Sequence, residues 1–445
     1  MENLENPHIK RIWKSLSSFI ENINCLYDSF DYSDNTLRSQ TVEAQKAYNR
    51  FVKPYQVKGD DGIVKFAIPK DKERTHQHLE RKLQRSQESS KLLKRSYIVS
   101  MVSQFDAFIA NLLRNIYTIN PDMLKQANQT LTFAELQNFG SLDEAREHII
   151  ESKIENILRD SHQEQFKELA SAIGVETLKK FANWPKFVEI TQRRNLFVHS
   201  NGNVSNQYLS ICKKEGVDVG TLKKGEQLDV DSPYFVMAFN VFYEVAVKLS
   251  QTAMRVLLYK KDNTCLGEID KCIISNIFDL IVEERYDVAV ELSEFALQPT
   301  FKHSDKDRIY LLLNRAQAYK WKGDEAKCKS LLDGEDTSAW SGELKCPKYA
   351  LEGNIDKVCA LMTATGQNGE ILKAEQYRSW PIFKRVRGEE KFKQAFKGVF
   401  GEELDLEMAN IEEDKKPKPA IRVAKTHKEK VSSSDKKEKQ KDLYE

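Results

Sequence analysis

Turn-forming residues are scarce in this chain. Glycine (18) and proline (11) make up about 4% and 2.5% of its 445 residues, against roughly 7% and 5% in ordinary proteins. So few turn-formers cannot supply the closely spaced turns of a sandwich or barrel, and an all-α fold is expected. The seven cysteines (25, 212, 265, 272, 328, 346 and 359) are odd in number and never spaced C-x-x-C. That spacing excludes a zinc ribbon and a disulfide framework and points to reduced thiols in a cytoplasmic protein. No stretch approaches 18 consecutive apolar residues, and MENLENPHIKRIWK lacks the basic start and apolar run of a signal peptide, so no membrane partner is expected. A charge excess is lacking too. Lys+Arg 69 against Asp+Glu 67 leaves +2, which excludes a globally basic nucleic-acid coat but not a local patch. Neither G-x-x-x-x-G-K-[ST], G-x-G-x-x-G nor H-E-x-x-H occurs. No cofactor and no metal site is indicated.

What is present is helical patterning on a large apolar reserve, 40% of residues. The length favours two or three domains. Over residues 1–260 the patterns are long. From about Lys70 to Tyr117, Ile98, Met101, Val102, Phe105, Phe108, Ile109, Leu112, Leu113 and Ile116 recur at spacings of three and four, a broad stripe that demands partner helices. The run stops at Asn120-Pro121. A helix fits 142–160, opened by a Ser141/Glu144 capping pair. Shorter ones fit 163–173 and 175–182, and another starts at Pro185 after Asn183. Residues 232–259 are apolar on nearly every side and should be central. Residues 56–68 alternate briefly and suit a small hairpin or an ordered loop.

Residues 264–402 change character. Tyr319-x3-Gly323-Asp324 recurs as Tyr349-x3-Gly353-Asn354, 30 residues on, and RYDVAVELSEFAL aligns with GDEAKCKSLL at Ala289 and Ala326. Helix, turn, helix at this period is the signature of stacked helical hairpins. The segment resembles a degenerate tetratricopeptide-like array, with Asp356 where alanine is expected in the third unit. Residues 377–400 interleave Trp380, Phe383, Phe392, Phe396 and Phe400 with Lys and Arg. They suit either stacking on single-stranded RNA or the apolar face of a capping helix. From 403 to 445 the chain is polar. Its last 35 residues hold 11 Lys/Arg, eight Asp/Glu and one aromatic, so a disordered Lys-rich tail is expected.

The chemistry is concentrated in PKFVEITQRRNLFVHSNGNVSNQYL, residues 185–209. On a helix from Pro185, Phe187, Ile190, Phe197 and Val198 form the expected buried stripe, with Arg194 in its middle. A guanidinium there requires an anion or carboxylate partner. Asn195 and His199, four apart, share the neighbouring face, and Asn201-Gly202 ends the helix with His199 on its last turn. His76, His78, His148 and His162 lack ligand spacing.

Arg194-Asn195-Leu196-Phe197-Val198-His199, with Arg193 before it and Asn201-Gly202 and Tyr208-Leu209 after it, resembles the R-N-x-x-x-H signature of the HEPN superfamily. The likeness covers about residues 70–258. It implies a four- or five-helix bundle, an earlier bundle helix at 100–114 whose acidic position is matched by Asp106, and metal-independent cleavage of RNA by dimers with paired signatures. Arg194, Asn195, His199 and Asp106 would then be catalytic and Arg193 substrate-binding. The resemblance further implies a toxin or anti-phage (abortive-infection) effector that homodimerises through the bundle, with a protein trigger or antitoxin at the helical repeats. The alternative is a non-catalytic HEPN-fold module that binds RNA or a ligand and uses the repeats as a scaffold. The residue types suit cleavage. Histidine titrates near neutrality, and arginine holds phosphate oxygens bidentately. Arg194 and His199 lie about 140° apart around one helix, which favours a site assembled from two chains.

Overall fold

A computed structural model describes residues 4–58, 64–126, 131–176 and 178–404. The Lys-rich tail from 405 onward, with its expected disorder, lies outside the described residues. Among the described residues the chain is all-α apart from one small hairpin. Two very long helices open it: α1, Pro7–Val52, and α2, Glu73–Ile119. Asn6 caps α1 by accepting from the amides of His8 and Ile9, with Pro7 in the first turn. Between them β1, Gln56–Lys58, pairs antiparallel with β2, Val64–Phe66.

α1 and α2 form one antiparallel hairpin whose two halves differ in kind. Up to Phe30 in α1 and from Arg95 in α2, apolar side chains at helical spacing are buried in a common core. In the outer half the buried apolar side chains among the described residues are Ala44 and Val52, with the Asp34 carboxylate buried beside the junction. Polar bridges hold its register: Ser33 Oγ to Tyr97 Oη at 2.9 Å, Lys94 Nζ to Asp34 at 2.7 Å, and Thr41 Oγ1 to Ser86 Oγ at 2.8 Å. The outer half is therefore a solvated two-helix arm. α2 is the helix among the described residues long and apolar enough by composition to cross a membrane, and the apolar face concerned is the one facing the core.

The bundle is completed by α3 (Phe133–Leu136), α4 (Leu142–Arg159), α5 (His162–Ile173), α6 (Trp184–Ser200), α7 (Asn206–Lys214) and α8 (Ser232–Met254). Ser141 caps α4 as expected, accepting from Glu144 N. The helix expected at 175–182 is absent. Gly174, at φ +76°, stops α5, and the described residues up to Asn183 run as turns and bends. α8 is central and packs on α1, α2 and α6. Phe19, Phe105, Phe108, Phe187 and Phe242 interlock where these helices meet, with ring centroids 4.9–5.8 Å apart. Each such ring contributes roughly 2–3 kcal/mol by leaving water, more than any of the surface ion pairs.

α8 runs on into a π-turn, Arg255–Tyr259. Three helical hairpins follow: α9 (Leu266–Val282) with α10 (Tyr286–Ala296), α11 (Asp305–Lys322) with α12 (Glu325–Asp333), and α13 (Gly342–Glu352) with α14 (Ile355–Thr365). The repeated Tyr-x3-Gly-Asp/Asn element is a single device used twice. Gly323 and Gly353 end α11 and α13 in the left-handed region, and the next residue's amide bonds back to Tyr319 or Tyr349 O. Asp324 and Asn354 then cap the following helix. α15 (Ala374–Ser379) and α16 (Glu390–Phe400) close the array. Tyr377, Phe383, Phe392 and Phe396 are fully buried there, which decides for the capping-helix alternative at 377–400.

The apolar core does not break near residue 260: one cluster of buried side chains runs from Leu4 to Leu404. Arg285, on the α9–α10 turn, stacks on Tyr27 of α1 and Phe239 of α8 at 4.3 and 4.0 Å. At the seam, fully buried Asp270 accepts from Arg255 Nη2 at 2.5 Å and faces His303 Nδ1 at 3.0 Å. His303 Nε2 donates to Ala296 O, which can only accept.

Candidate functional site

α6 begins at Trp184, with Pro185 in its first turn. Asn183 does not cap it with its side chain; its Nδ2 donates instead to Glu244 on α8 at 2.6 Å. Phe187, Val188, Ile190 and Thr191 are buried against the bundle. The expected stripe fails at its far end. Val198 is 49% exposed and Phe197 only half-buried, because the last turn of α6 runs past the core. Leu196 is the buried residue of that turn and belongs to a small separate cluster with Val204, Tyr208 and Cys212.

Arg194 lies one turn beyond Ile190, where the core meets solvent, with its side chain 25% exposed. Its Nη1 donates to Asn195 Oδ1 at 3.1 Å and its Nη2 sits 4.0 Å from Asp106 Oδ2. Its Nε is buried with no hydrogen-bond partner. Asp106, in the middle of α2, is held from the other side by His162 Nε2 at 2.9 Å. His162 is the first residue of α5, buried between the rings of Phe105 and Phe187. Three helices thus converge on one carboxylate and one guanidinium. His199, on the last turn of α6, is exposed, and its imidazole has no hydrogen-bond partner among the described residues.

The turn that follows is fixed from α2. Asn201 ends α6 at φ +49°, and Gly202 continues at φ +80°. A Cβ on Gly202 would stand 2.8 Å from Leu228 O, so no larger residue fits. Buried Arg95 reaches into this turn. Its Nη1 donates to Asn201 O and Oδ1, its Nη2 to Leu228 O and Asp229, and its Nε to Asp229 at 3.0 Å. Its guanidinium also covers the Phe197 ring at 5.4 Å.

Arg193 points elsewhere. It donates to Glu189 Oε1 at 2.7 Å and to Asp229 O at 3.0 Å and stacks on Tyr234 at 3.9 Å. Glu189, itself buried, also accepts from the Tyr208 and Tyr234 hydroxyls at 2.7 Å each. Burial, and after it the Glu189 charge, pushes both hydroxyls well above the ordinary tyrosine range and the Cys212 thiol up to about 11. This network ties α6, α7 and α8 together and leaves Arg193 little freedom to meet a substrate.

The structure therefore brings Arg194, Asn195 and Asp106 together, sets His199 on the rim, and places Arg193 in the α6–α8 network. His162 and Arg95 escape sequence reasoning. Serine before His162 signals a helix start, but nothing in the sequence signals that the imidazole meets a carboxylate 56 residues earlier. Among the described residues no cluster of three His, Cys, Asp or Glu side chains is arranged to hold a metal ion. A cleft of about 570 Å³ lined by Tyr117, Lys153 and Glu168 contains none of these residues. Comparison with protein-family models, with curated proteins and with solved structures gives no match to this chain.

Proposed function

We propose that the chain is a metal-independent endoribonuclease of HEPN type. The observation that carries the proposal is the Arg194 guanidinium. It is anchored by Asn195, only loosely paired with Asp106 at 4.0 Å, left with an unsatisfied Nε, and open to solvent on one side. A cation so incompletely neutralised and partly open to solvent suits a phosphate oxygen. In the proposed step an imidazole accepts the 2′-OH proton as O2′ attacks phosphorus, Arg194 balances the charge of the phosphorane, and the P–O5′ bond breaks as the imidazolium so formed passes its proton to O5′. The products are a 2′,3′-cyclic phosphate and a 5′-hydroxyl. Asp106, steadied by His162, orients Arg194. His199 lies too far around α6 to share one phosphate easily with its own Arg194, so the proposal includes a homodimer in which each phosphate meets residues from both chains. A role as toxin or anti-phage effector, triggered or neutralised at the helical hairpins, belongs to the same proposal and rests on the resemblance alone.

The test is incubation of the full chain with structured RNA in EDTA. Arg194→Ala and His199→Ala should each slow cleavage by roughly 10²-fold or more. Cleavage undiminished in both variants sinks the assignment. One observation favours the second reading, RNA binding without cleavage: no side chain among the described residues orients the His199 ring. Retained RNA with no cut by any form would support it.

A further inference from the structure

The near-zero net charge conceals a strong local imbalance. Residues 35–94, the solvated arm with its β-hairpin tip, carry 14 Lys/Arg against seven Asp/Glu, a net of +7. The rest of the chain, taken from the total of +2, is then −5. Positive charge is thus concentrated on the one element that has little core of its own.

Within the arm the charge is ordered. At 100° per residue, Arg74, Arg81 and Arg85 fall on the edge of α2 that faces away from α1, and Arg95 and Asp106 fall within the same sector of about 80°. Arg74, Arg81 and Arg85 are exposed, and none of them pairs with a carboxylate among the described residues. The acidic residue in that sector short of Asp106, Glu88, is paired with Lys91 at 3.3 Å. The exposed guanidinium groups of Arg74, Arg81 and Arg85 therefore line about 17 Å of one helix edge. The same edge continues past buried Arg95 to Asp106, about 32 Å farther on, the carboxylate beside Arg194.

We propose that this edge of α2 is a docking rail for the sugar–phosphate backbone of structured RNA, which it leads toward the exposed side of Arg194. The choice of RNA as the polyanion rests on the ribonuclease reading; the rail itself rests on charge and geometry. Contacts of this kind position the nucleic acid and carry no sequence preference. Their mark is salt dependence, because each neutralised phosphate releases counterions.

The experiment uses the full chain with His199→Ala, so that RNA is not consumed, and a fluorescent RNA hairpin followed by anisotropy at several salt concentrations. The variant Arg74→Gln/Arg81→Gln/Arg85→Gln keeps good helix formers at exposed positions, so folding is spared. A matched control, Lys10→Gln/Lys14→Gln/Lys329→Gln, removes the same charge from exposed sites elsewhere. The rail variant should bind at least tenfold more weakly near 0.1 M salt, with a log–log salt slope smaller by about 2–3. The control should stay within about twofold. Equal losses in both variants, or unchanged affinity in the rail variant, would overturn the proposal. So would arm-dependent binding to phosphatidylserine vesicles with none to RNA. Rail-dependent binding by a His199-intact protein that never cleaves supports the rail and rejects the nuclease; cleavage with the same KM in the rail variant rejects the rail and leaves the nuclease standing.

Discussion

Five hydrogen bonds spread the Arg95 guanidinium over Asn201, Leu228 and Asp229, so this one side chain sets where α6 ends. Arg95→Ala should cost roughly 2–3 kcal/mol in urea unfolding, as for charged hydrogen bonds lost from a buried site. Arg95→Lys should not restore it, because a point charge cannot span the fork. A pair of glycines separates two costs. At Gly323, φ is +97° with open space around the missing Cβ, so Gly323→Ala should cost about 1 kcal/mol. Gly202→Ala adds a collision with Leu228 O and should cost at least about twice as much in the same measurement. On the bundle surface, Arg114 holds the Glu151 carboxyl below its ordinary 4.5 through a paired hydrogen bond. The folded value is the lower one, so this contribution is present above pH 4.5 and lost as pH falls through the depressed value. Both partners are about half exposed, so it amounts to a few tenths of a kcal/mol. Thermal unfolding of Glu151→Gln should run slightly below the unaltered protein at pH 6 and converge with it under more acid conditions. Of the residues around Arg194, those on α6 were legible because they share one helix and one short pattern. Asp106 needed the resemblance. His162 and Arg95 act across separations of 56 and 106 residues, which no local pattern encodes.

Among the elements, the hairpins of the second half follow from a local rule. A tyrosine, a left-handed glycine and a capping Asp or Asn close one helix and open the next, so Tyr319-x3-Gly323-Asp324 and its repeat could be read directly. α2 and α8 were equally plain from their apolar spacing, and α4 from its Ser141/Glu144 capping pair. Two misreadings have physical causes. Residues 175–182 have helix-forming composition, but the left-handed Gly174 and the start of α6 at Trp184 leave too little chain for a further turn to pay its nucleation cost. Val198 has the periodicity of a core residue, but periodicity does not report where a helix leaves the bundle. The cysteines offer a check on the elements that hold them. Burial raises the thiols of Cys212 on α7 to about 11 and of Cys272 on α9 and Cys346 on α13 to about 12, whereas Cys25 on α1 is exposed. A thiol reagent at pH 8 should label Cys25 in the native protein within minutes and reach those three only on denaturation, read by peptide mass spectrometry. Fast native labelling of Cys212 would mean that α7 does not pack as described.

For the whole molecule, the uninterrupted core means that a cut near 260 would bare the faces that α1 and α8 present to α9 and α10. The fragment 1–260 should therefore aggregate or bind a hydrophobic dye, and the full chain should do neither; size exclusion and dye fluorescence read this out. The Tyr27 and Phe239 rings, which Arg285 covers in the full chain, would be bared with them. α2 also acts on this scale. It is one unbroken helix of 47 residues, rooted in the core at one end and standing in water at the other. Such a rod is stiff along its length and bridged to α1, so a tilt of the two-helix arm by about 5° about Arg95, where the buried part begins, would carry Arg74 sideways by roughly 3 Å while the root barely shifts. The molecule has, in effect, a handle: its far end can search a wide volume for a hold without loosening the groups at its fulcrum.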